Sequence, residues 1–335
     1  MGTTVQSDTT IGDLIKSGRY GIYAKYFFTD MTPDHFHAPL SSYGFEKNEF
    51  AVVLSYLEDL ASTGKDYRHF IYDETTRLSE WDKEPVCLFE FPVPSKDMPY
   101  AIVIPGGGFN RQWGLIEGFC IAKKLRDHGI PSFVLFYRVK QEPVLGKALE
   151  DVHTAISYVE DHAETLGVKK GHYILGGFSA GATLASEIGS TNLGFSSAGL
   201  PKPELIFLGY PEILHRSLYE AYAASPENKA LRSAFAPFLR RIGGPDFSLE
   251  TMAEYELSDH MDSSYPKCYI TACEDDQTVD PENSRVLDRL LTDLKVPHKL
   301  NLGKQGGHSF GIGNGVDTEG WIEDMLSFWK QNDQN

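Results

Sequence analysis

The chain has 335 residues, 41% hydrophobic and 23% charged, which is ordinary for a globular protein and permits one or two domains. Its formal net charge of −16 disfavours nucleic acid and anionic membrane surfaces as partners, and no run approaches the roughly 18 apolar residues of a membrane span. The first residues lack the basic and apolar regions of a secretory signal, and the four cysteines are scattered, so we expect a soluble, cytoplasmic protein.

Residues 1–66 predict a helical N-terminal extension that packs on the rest of the protein. Residues 8–10 are predicted to cap a helix whose first turn is formed by residues 11–15. Residues 50–60 carry apolar side chains at helical spacing. An aromatic-rich segment lies between these two stretches. The His-Phe-His tripeptide at 35–37 has no further metal ligands near it, so a surface loop is predicted there.

From residue 67 onward, strand-like and helix-like patterns alternate. Such a rhythm predicts a mostly parallel sheet with helices on both faces, in a domain that covers residues 67–335. The irregular stretch at about 211–264 predicts a helical cap or lid. The predicted strands are residues 69–72, 86–93, 100–104, 132–137, 173–175, 203–210, 267–272 and 298–302, and the predicted helices are residues 119–126, 145–164, 282–291 and 321–329.

The pentapeptide Gly-Phe-Ser-Ala-Gly at residues 177–181 lies between a predicted strand and a predicted helix. That context is the one in which a G-x-S-x-G sequence forms a nucleophile elbow, with its serine exposed at the start of the helix. A serine that merely caps the helix is the alternative. A dinucleotide-binding turn is excluded, because Phe178 stands where glycine would be required.

A serine nucleophile needs a base and an orienting acid, which in this arrangement follow it in the order acid, then histidine. His308 follows the last predicted strand and is the candidate base. Three carboxylates follow the preceding strand, so that the acid is Asp275, Asp276 or Asp280. Three consecutive glycines at residues 106–108 follow a central strand, where unobstructed N–H groups would form an oxyanion hole.

These motifs resemble the α/β-hydrolase superfamily, in the hormone-sensitive-lipase-like branch with an HGGG-type oxyanion loop that includes acetyl and acetyl-xylan esterases. Pro105 replaces the first histidine of that motif. Further matches are Glu117-Gly118, a strand that ends in Tyr137-Arg138, the tetrapeptide at 208–211 and the D-x-x-V pattern that begins at Asp276. The resemblance covers about residue 67 to the C-terminus and leaves out the N-terminal extension.

The resemblance implies a Ser179 nucleophile, a His308 general base and acid, and Asp276 as the orienting carboxylate. It also implies that the backbone N–H groups of Gly107, Gly108 and Ala180 form the oxyanion hole. No metal or organic cofactor is expected. The expected function is that of a serine carboxylesterase on small acyl esters, with acetylated sugars among the candidates; a peptidase or aminopeptidase of the same fold is the alternative. A non-enzymatic binding protein is disfavoured, and homo-oligomer formation is left open.

Overall fold

The computed structural model describes residues 5–331, in which eight strands form one sheet in the order β1-β2-β4-β3-β5-β6-β7-β8. The pairs β1–β2 and β2–β4 are antiparallel, and every other neighbouring pair is parallel. The strands are β1 Arg68–Phe70, β2 Cys87–Phe91, β3 Met98–Ile104, β4 Ser132–Phe136, β5 Val168–Phe178, β6 Leu205–Gly209, β7 Cys268–Cys273 and β8 His298–Gly303.

The helices that cover this sheet follow the alternation expected from the sequence. They are α1 Ile11–Lys16, α2 Pro33–His37, α3 Phe50–Ser62, α4 Glu74–Ser79, α5 Cys120–Asp127, α6 Leu145–Asp161, α7 Ala163–Leu166, α8 Ala180–Glu187, α9 His215–Ala223, α10 Lys229–Gly243, α11 Leu249–Ala253, α12 Glu282–Asp293 and α13 Trp321–Lys330. A π-helical turn, Gly114–Phe119, precedes α5. None of the helices among residues 5–331 combines the length and apolar character that a bilayer crossing requires.

The continuous apolar strands are buried on both faces, as parallel strands between two helical layers must be. Side chains alternate between two cores. Ala101 and Val103 of β3 face the core that contains residues of the N-terminal helices, α5 and α13, whereas Ile102 and Ile104 face the core that contains residues of α6, α8 and α12. The loops that follow the parallel strands therefore leave one edge of a sheet that is packed on both faces.

The N-terminal segment belongs to the first of these cores. Thr10 caps α1 through a reciprocal hydrogen-bond pair with Asp13. The buried Tyr23 ring packs edge-on against Phe119 at a centroid distance of 5.9 Å, and the carbonyl of Phe27 accepts a hydrogen bond of 2.8 Å from the N–H of Leu115. Residues that precede the first strand thus help to fix the segment that follows β3.

Three local expectations were wrong. The predicted loop at residues 35–37 lies in helix α2, because Thr32 caps it and Pro33 occupies its first turn. The predicted strand at 69–72 ends at Phe70, because the Asp73 side chain caps α4 and turns the chain out of the sheet. The predicted helix at 145–164 ends at Asp161, and after His162 the separate helix α7 begins.

The stretch between β6 and β7 contains α9, α10 and α11. These helices place Leu239, Ile242 and Met252 in the same core as α8, so the inserted segment packs on the sheet domain through buried apolar side chains. Its position after the carboxyl end of β6 brings it beside the residues that follow β5, β7 and β8.

Candidate active site

Ser179 sits in a strained turn between β5 and α8. Its backbone has φ 51° and ψ −122°, a region that L-residues other than glycine rarely adopt. The flanking glycines are required by space: a Cβ on Gly177 would lie 2.2 Å from the carbonyl oxygen of Gly181, and a Cβ on Gly181 would lie 2.1 Å from that of Ile104. The pentapeptide therefore forms the sharp strand–turn–helix that projects a serine hydroxyl.

Hydrogen bonds connect the serine to the predicted histidine and one predicted acid. His308 Nε2 lies 3.0 Å from Ser179 Oγ, and His308 Nδ1 lies 2.7 Å from Asp276 Oδ2. The Asp276 side chain is only 1% exposed, and its second oxygen accepts the N–H groups of Thr278 and Val279. Asp276 is thus fixed by the backbone, and with it the orientation of the imidazole.

The structure gives the other two candidate acids different positions. Asp275 Oδ1 accepts N–H hydrogen bonds from Gly306 and Gly307, which tie it to the loop that carries the histidine and, with the Gly307 bond foremost, lower the pKa of Asp275. Asp280 Oδ1 accepts the N–H of Glu282 at the start of α12. Of the three carboxylates, Asp276 is the one placed on the imidazole.

The three glycines after β3 have separate positions as well. The N–H of Gly106 is already bonded to Glu117 Oε2 at 2.8 Å. Gly107 and Gly108 have φ 132° and 62°, and within residues 5–331 their N–H groups have no protein acceptor. Ala180 is the first residue of α8, where an N–H has no partner inside the helix. The predicted oxyanion donors are therefore available to a ligand.

Glu117 is a functional candidate that the sequence analysis named only as part of a matching pair. It is fully buried, and its Oε1 accepts a 2.9 Å hydrogen bond from the hydroxyl of Tyr210, whose ring centroid lies 4.6 Å from that of His308. Burial raises the pKa of Glu117, against the lowering effects of His308 and the Gly106 N–H. Glu117 thus links Gly106, in the loop of the proposed oxyanion donors, to Tyr210, which packs against the His308 ring. The sequence signal that could have identified Glu117 is a single charged residue in an otherwise apolar run.

The loop that carries His308 is braced by the N-terminal segment. The buried Asn48 accepts a 2.9 Å hydrogen bond from the N–H of Ile312, and the carbonyl of Lys47 accepts one of 3.1 Å from the N–H of Asn314. A Cβ on Gly311 would lie 2.2 Å from Asn48 Oδ1, so the N-terminal segment and the loop that carries His308 are in close contact. The N-terminal segment therefore contributes to the placement of the histidine.

A cleft of about 760 Å³ opens above Ser179. Its charged lining residues are three cations, Lys47, Arg111 and Arg241, and a carboxyl group, Glu212, whose pKa is raised to about 7 by burial. None of the four was predicted from the sequence: Arg111 and Glu212 follow quoted motifs without belonging to them, and Lys47 and Arg241 come from segments that carry no motif. The rest of the lining is Ser42, Tyr43, Gly44, Gly107, Gly108, Asn110, Trp113, Ile116, Ser179, Leu218, Ala234, Phe235, Pro237, Phe238, Thr278, Val279, His308 and Ser309.

Comparisons with known proteins agree with this architecture. A family model described as BD-FAE matches residues 89–197, from β2 past the elbow and α8. Endo-1,4-beta-xylanase B from Butyrivibrio fibrisolvens is 26% identical over 223 residues, which are 66% of this chain and 34% of that protein. The chain therefore spans about a third of the length of that relative.

Two solved structures show the same fold at low identity. An acetyl ester-xyloside bifunctional hydrolase from Caldicellulosiruptor lactoaceticus superposes with a TM-score of 0.60 at 22% identity, covering 79% of this chain and 94% of that one. MGS-M1, an alpha/beta hydrolase enzyme from a Medee basin deep-sea metagenome library, gives 0.55 at 21% identity, covering 73% and 91%. The chain therefore has the α/β-hydrolase fold, and over residues 89–197 it is similar to the BD-FAE family.

Proposed function

We propose that the protein is a serine carboxylesterase that hydrolyses small acyl esters, with acetylated sugars among its substrates. The observation that carries the proposal is the hydrogen-bonded series from Ser179 Oγ through His308 to Asp276, on the floor of a cleft beside the unpaired N–H groups of Gly107 and Gly108. The acetyl ester-xyloside hydrolase with the same fold supports the substrate class. The cytoplasmic location stays a prediction, and homo-oligomer formation stays open.

In this proposal, the Ser179 hydroxyl attacks the ester carbonyl while His308 Nε2 takes its proton. Asp276 holds the Nδ1–H tautomer and stabilises the imidazolium that forms. The oxyanion lies against the N–H groups of Gly107, Gly108 and Ala180, and loss of one such donor typically costs about 2.7–4 kcal/mol of barrier. His308 then protonates the leaving alkoxide, and a water molecule activated by the same imidazole releases the acid from the acyl-enzyme.

The charges of the residues that line the cleft do not favour the peptidase alternative. An aminopeptidase would bind the free amine of its substrate with carboxylates beside the nucleophile. Among the described residues that line the cleft, the one carboxyl group is Glu212, whose pKa burial raises to about 7, so that a large share of it is neutral at that pH. The three cations in the same lining would repel an ammonium group. The charge of the cleft therefore disfavours substrates with a free amine.

The test is hydrolysis of 4-nitrophenyl acetate by the wild-type protein and by Ser179→Ala. We expect the variant to lose at least about 10⁴-fold in kcat, since the step that forms the acyl-enzyme is removed. Ser263→Ala, an exposed serine outside the cleft lining, is the control and should match the wild type. Wild-type rates in Ser179→Ala would refute the proposal. Faster cleavage of N-terminal peptide amides than of esters would establish the peptidase instead, and no turnover of either would favour a binding protein.

A further inference from the structure

The cleft carries positive charge in a protein whose formal net charge is −16. Lys47 comes from the N-terminal segment, Arg111 from the loop after β3, and Arg241 from α10 in the inserted segment. Three separate parts of the chain thus each place one cation around the space above Ser179.

Arg241 is a half-buried cation whose hydrogen bonds are incomplete. Its Nη2 donates a 3.0 Å hydrogen bond to Asn110 Oδ1, whereas its Nε is buried and has no partner. Within residues 5–331, no carboxylate oxygen lies within 4 Å of its guanidinium. Burial lowers the pKa of Arg241, and the positive charge of Arg111 lowers it further against the opposing effect of Glu142. A buried donor without an acceptor is costly, so this arginine does not have the arrangement of one that is kept for stability.

The contrast with Arg138 shows what the protein does with a structural arginine. Arg138 is 3% exposed, and its Nη2 lies 2.6 Å from a carboxylate oxygen of Glu150 and 2.8 Å from one of Asp151. That arrangement neutralises a buried guanidinium inside the protein. Arg241 has no such close ion pair among the described residues, and Glu142 acts on it only through a longer-range attraction, so its hydrogen-bonding capacity for a carboxylate is not used inside the protein.

Arg111 faces the same space and is also without a carboxylate partner in the described part of the chain. Its Nη1 lies 3.0 Å from His35 Nδ1, which must accept from a guanidinium and is therefore the unprotonated nitrogen of that ring. The backbone N–H of Arg111 also donates a 3.3 Å hydrogen bond to the carbonyl of Gly107. The backbone of Arg111 is thus bonded to a residue that is a proposed oxyanion donor, and its guanidinium is held by His35.

We propose that Arg111 and Arg241 form a carboxylate-binding subsite, so that the enzyme prefers esters whose acyl or alcohol part carries a carboxylate. The proposal rests on the esterase function above. A planar guanidinium fork matches the two oxygens of a carboxylate, and such charge-assisted bonds are the strong ones. Lys47 adds positive charge to the same cleft, and about 760 Å³ is a common size for a pocket that encloses a small ligand.

The test uses two matched pairs of esters, one for each side of the scissile bond. For the acyl side, 4-nitrophenyl hydrogen succinate is compared with 4-nitrophenyl pentanoate; for the alcohol side, 4-acetoxybenzoate is compared with its methyl ester. The readout is the ratio of kcat/KM for the anionic ester to that for the neutral ester. Intrinsic ester reactivity cancels when this ratio is compared between the wild type and each variant.

We expect the ratio for at least one pair to fall about tenfold or more in Arg241→Gln and in Arg111→Gln. Arg241→Lys should retain part of the preference because it keeps the charge without the fork. Arg240→Gln is the matched control, since Arg240 is the neighbouring, exposed arginine on α10 and lies outside the cleft lining. Thermal melts establish that each variant is folded, and added salt should reduce the wild-type ratio.

Unchanged ratios for both pairs in folded Arg241→Gln and Arg111→Gln would overturn the subsite, as would an equal fall in Arg240→Gln. Hydrolysis of the neutral esters keeps this result separate from the esterase proposal. Neutral esters hydrolysed with no anionic preference would remove the subsite alone. A wild-type protein that hydrolyses none of the four esters would remove the esterase function as well.

Discussion

The floor and the walls of the cleft are built in different ways. On the floor, Ser179, Asp276 and His308 follow parallel strands, and hydrogen bonds connect the three side chains to one another. On the walls, Arg111 and Arg241 come from a loop and a helix, and Arg241 keeps a donor without a partner. The comparison teaches that the proposed reactive groups are fixed by the strands and the backbone, whereas the arginines proposed to contact the variable part of a substrate keep unused hydrogen-bonding capacity.

Among the changes that leave the Ser179 hydroxyl in place, Asp276→Asn should have the largest effect. One carboxylate now accepts the imidazole Nδ1–H and two backbone N–H groups. An amide replaces one of those acceptors with a donor, so the imidazole turns to the wrong tautomer, and kcat should fall about 10³–10⁴-fold. Steady-state kinetics with 4-nitrophenyl acetate measures this. Asp280→Asn is the control, and a comparable loss there would show that the acid has been misassigned.

The sequence predicted the floor because its signals are local or follow from topology. A G-x-S-x-G between a strand and a helix requires a tight turn, and residues after successive parallel strands meet at one edge of the sheet. The selection of Asp276 over Asp275 and Asp280 came only from the resemblance, since three carboxylates in one loop are equivalent until backbone N–H groups are placed around them. The walls could not be predicted, because Lys47 and Arg241 are close only in the folded chain.

The next effect concerns the contact between α8 and the inserted segment, where Glu187 of α8 lies near Glu256. Burial raises the pKa of Glu187 from 4.5 to about 8, against the lowering effect of the Ser190 hydroxyl and with a smaller raising contribution from Glu256. Between these two pH values the folded state retains a proton that the unfolded state has lost. The free energy of unfolding should therefore decrease as pH rises from about 4.5 to 8.

Glu187→Met should reduce this decrease, leaving the part that Glu212 contributes through its own raised pKa, and should stabilise the protein at pH 8 by roughly 3–5 kcal/mol. Urea unfolding at pH 5, 6.5 and 8 measures both quantities. Glu220→Met, an exposed glutamate on α9, should keep the wild-type pH dependence. A Glu187→Met protein with an unchanged slope between pH 5 and 8 would show that this carboxyl group does not titrate as its burial implies.

A smaller effect is expected from Glu117→Gln, which weakens the hydrogen bonds that hold Gly106 and Tyr210 beside the proposed catalytic residues. The N–H of Gly106 and the hydroxyl of Tyr210 both need acceptors, and an amide offers an oxygen to only one of them. We expect a loss of about 1–3 kcal/mol in unfolding free energy and a fall in kcat of about 10–100-fold, with KM nearly unchanged. Glu90→Gln, which disturbs the partly buried Glu90–His69 pair in β2 and β1, should lower stability without lowering kcat. Equal effects of the two variants on kcat would mean that Glu117 acts only through stability.

The smallest effect should come from the wall residue Phe238, whose ring stacks on Phe109 at a centroid distance of 5.6 Å beside the cleft. Phe238→Ala removes apolar contact area without touching the reacting groups. KM for 4-nitrophenyl hexanoate should rise about 3–10-fold while kcat stays within about twofold. Leu249→Ala on α11, which is 43% exposed and outside the lining, is the control. A change in kcat rather than KM would place Phe238 among the groups that position the reaction.

The most direct test of the central claim is covalent labelling of Ser179 by a fluorophosphonate, followed by intact-mass and peptide mass spectrometry. The hydrogen-bonded series from Ser179 to His308 predicts a single adduct on Ser179 in the wild type, no adduct in Ser179→Ala and much slower labelling in His308→Ala. A folded wild-type protein that takes no label, or takes it on another residue, would contradict the assignment of Ser179 as the nucleophile.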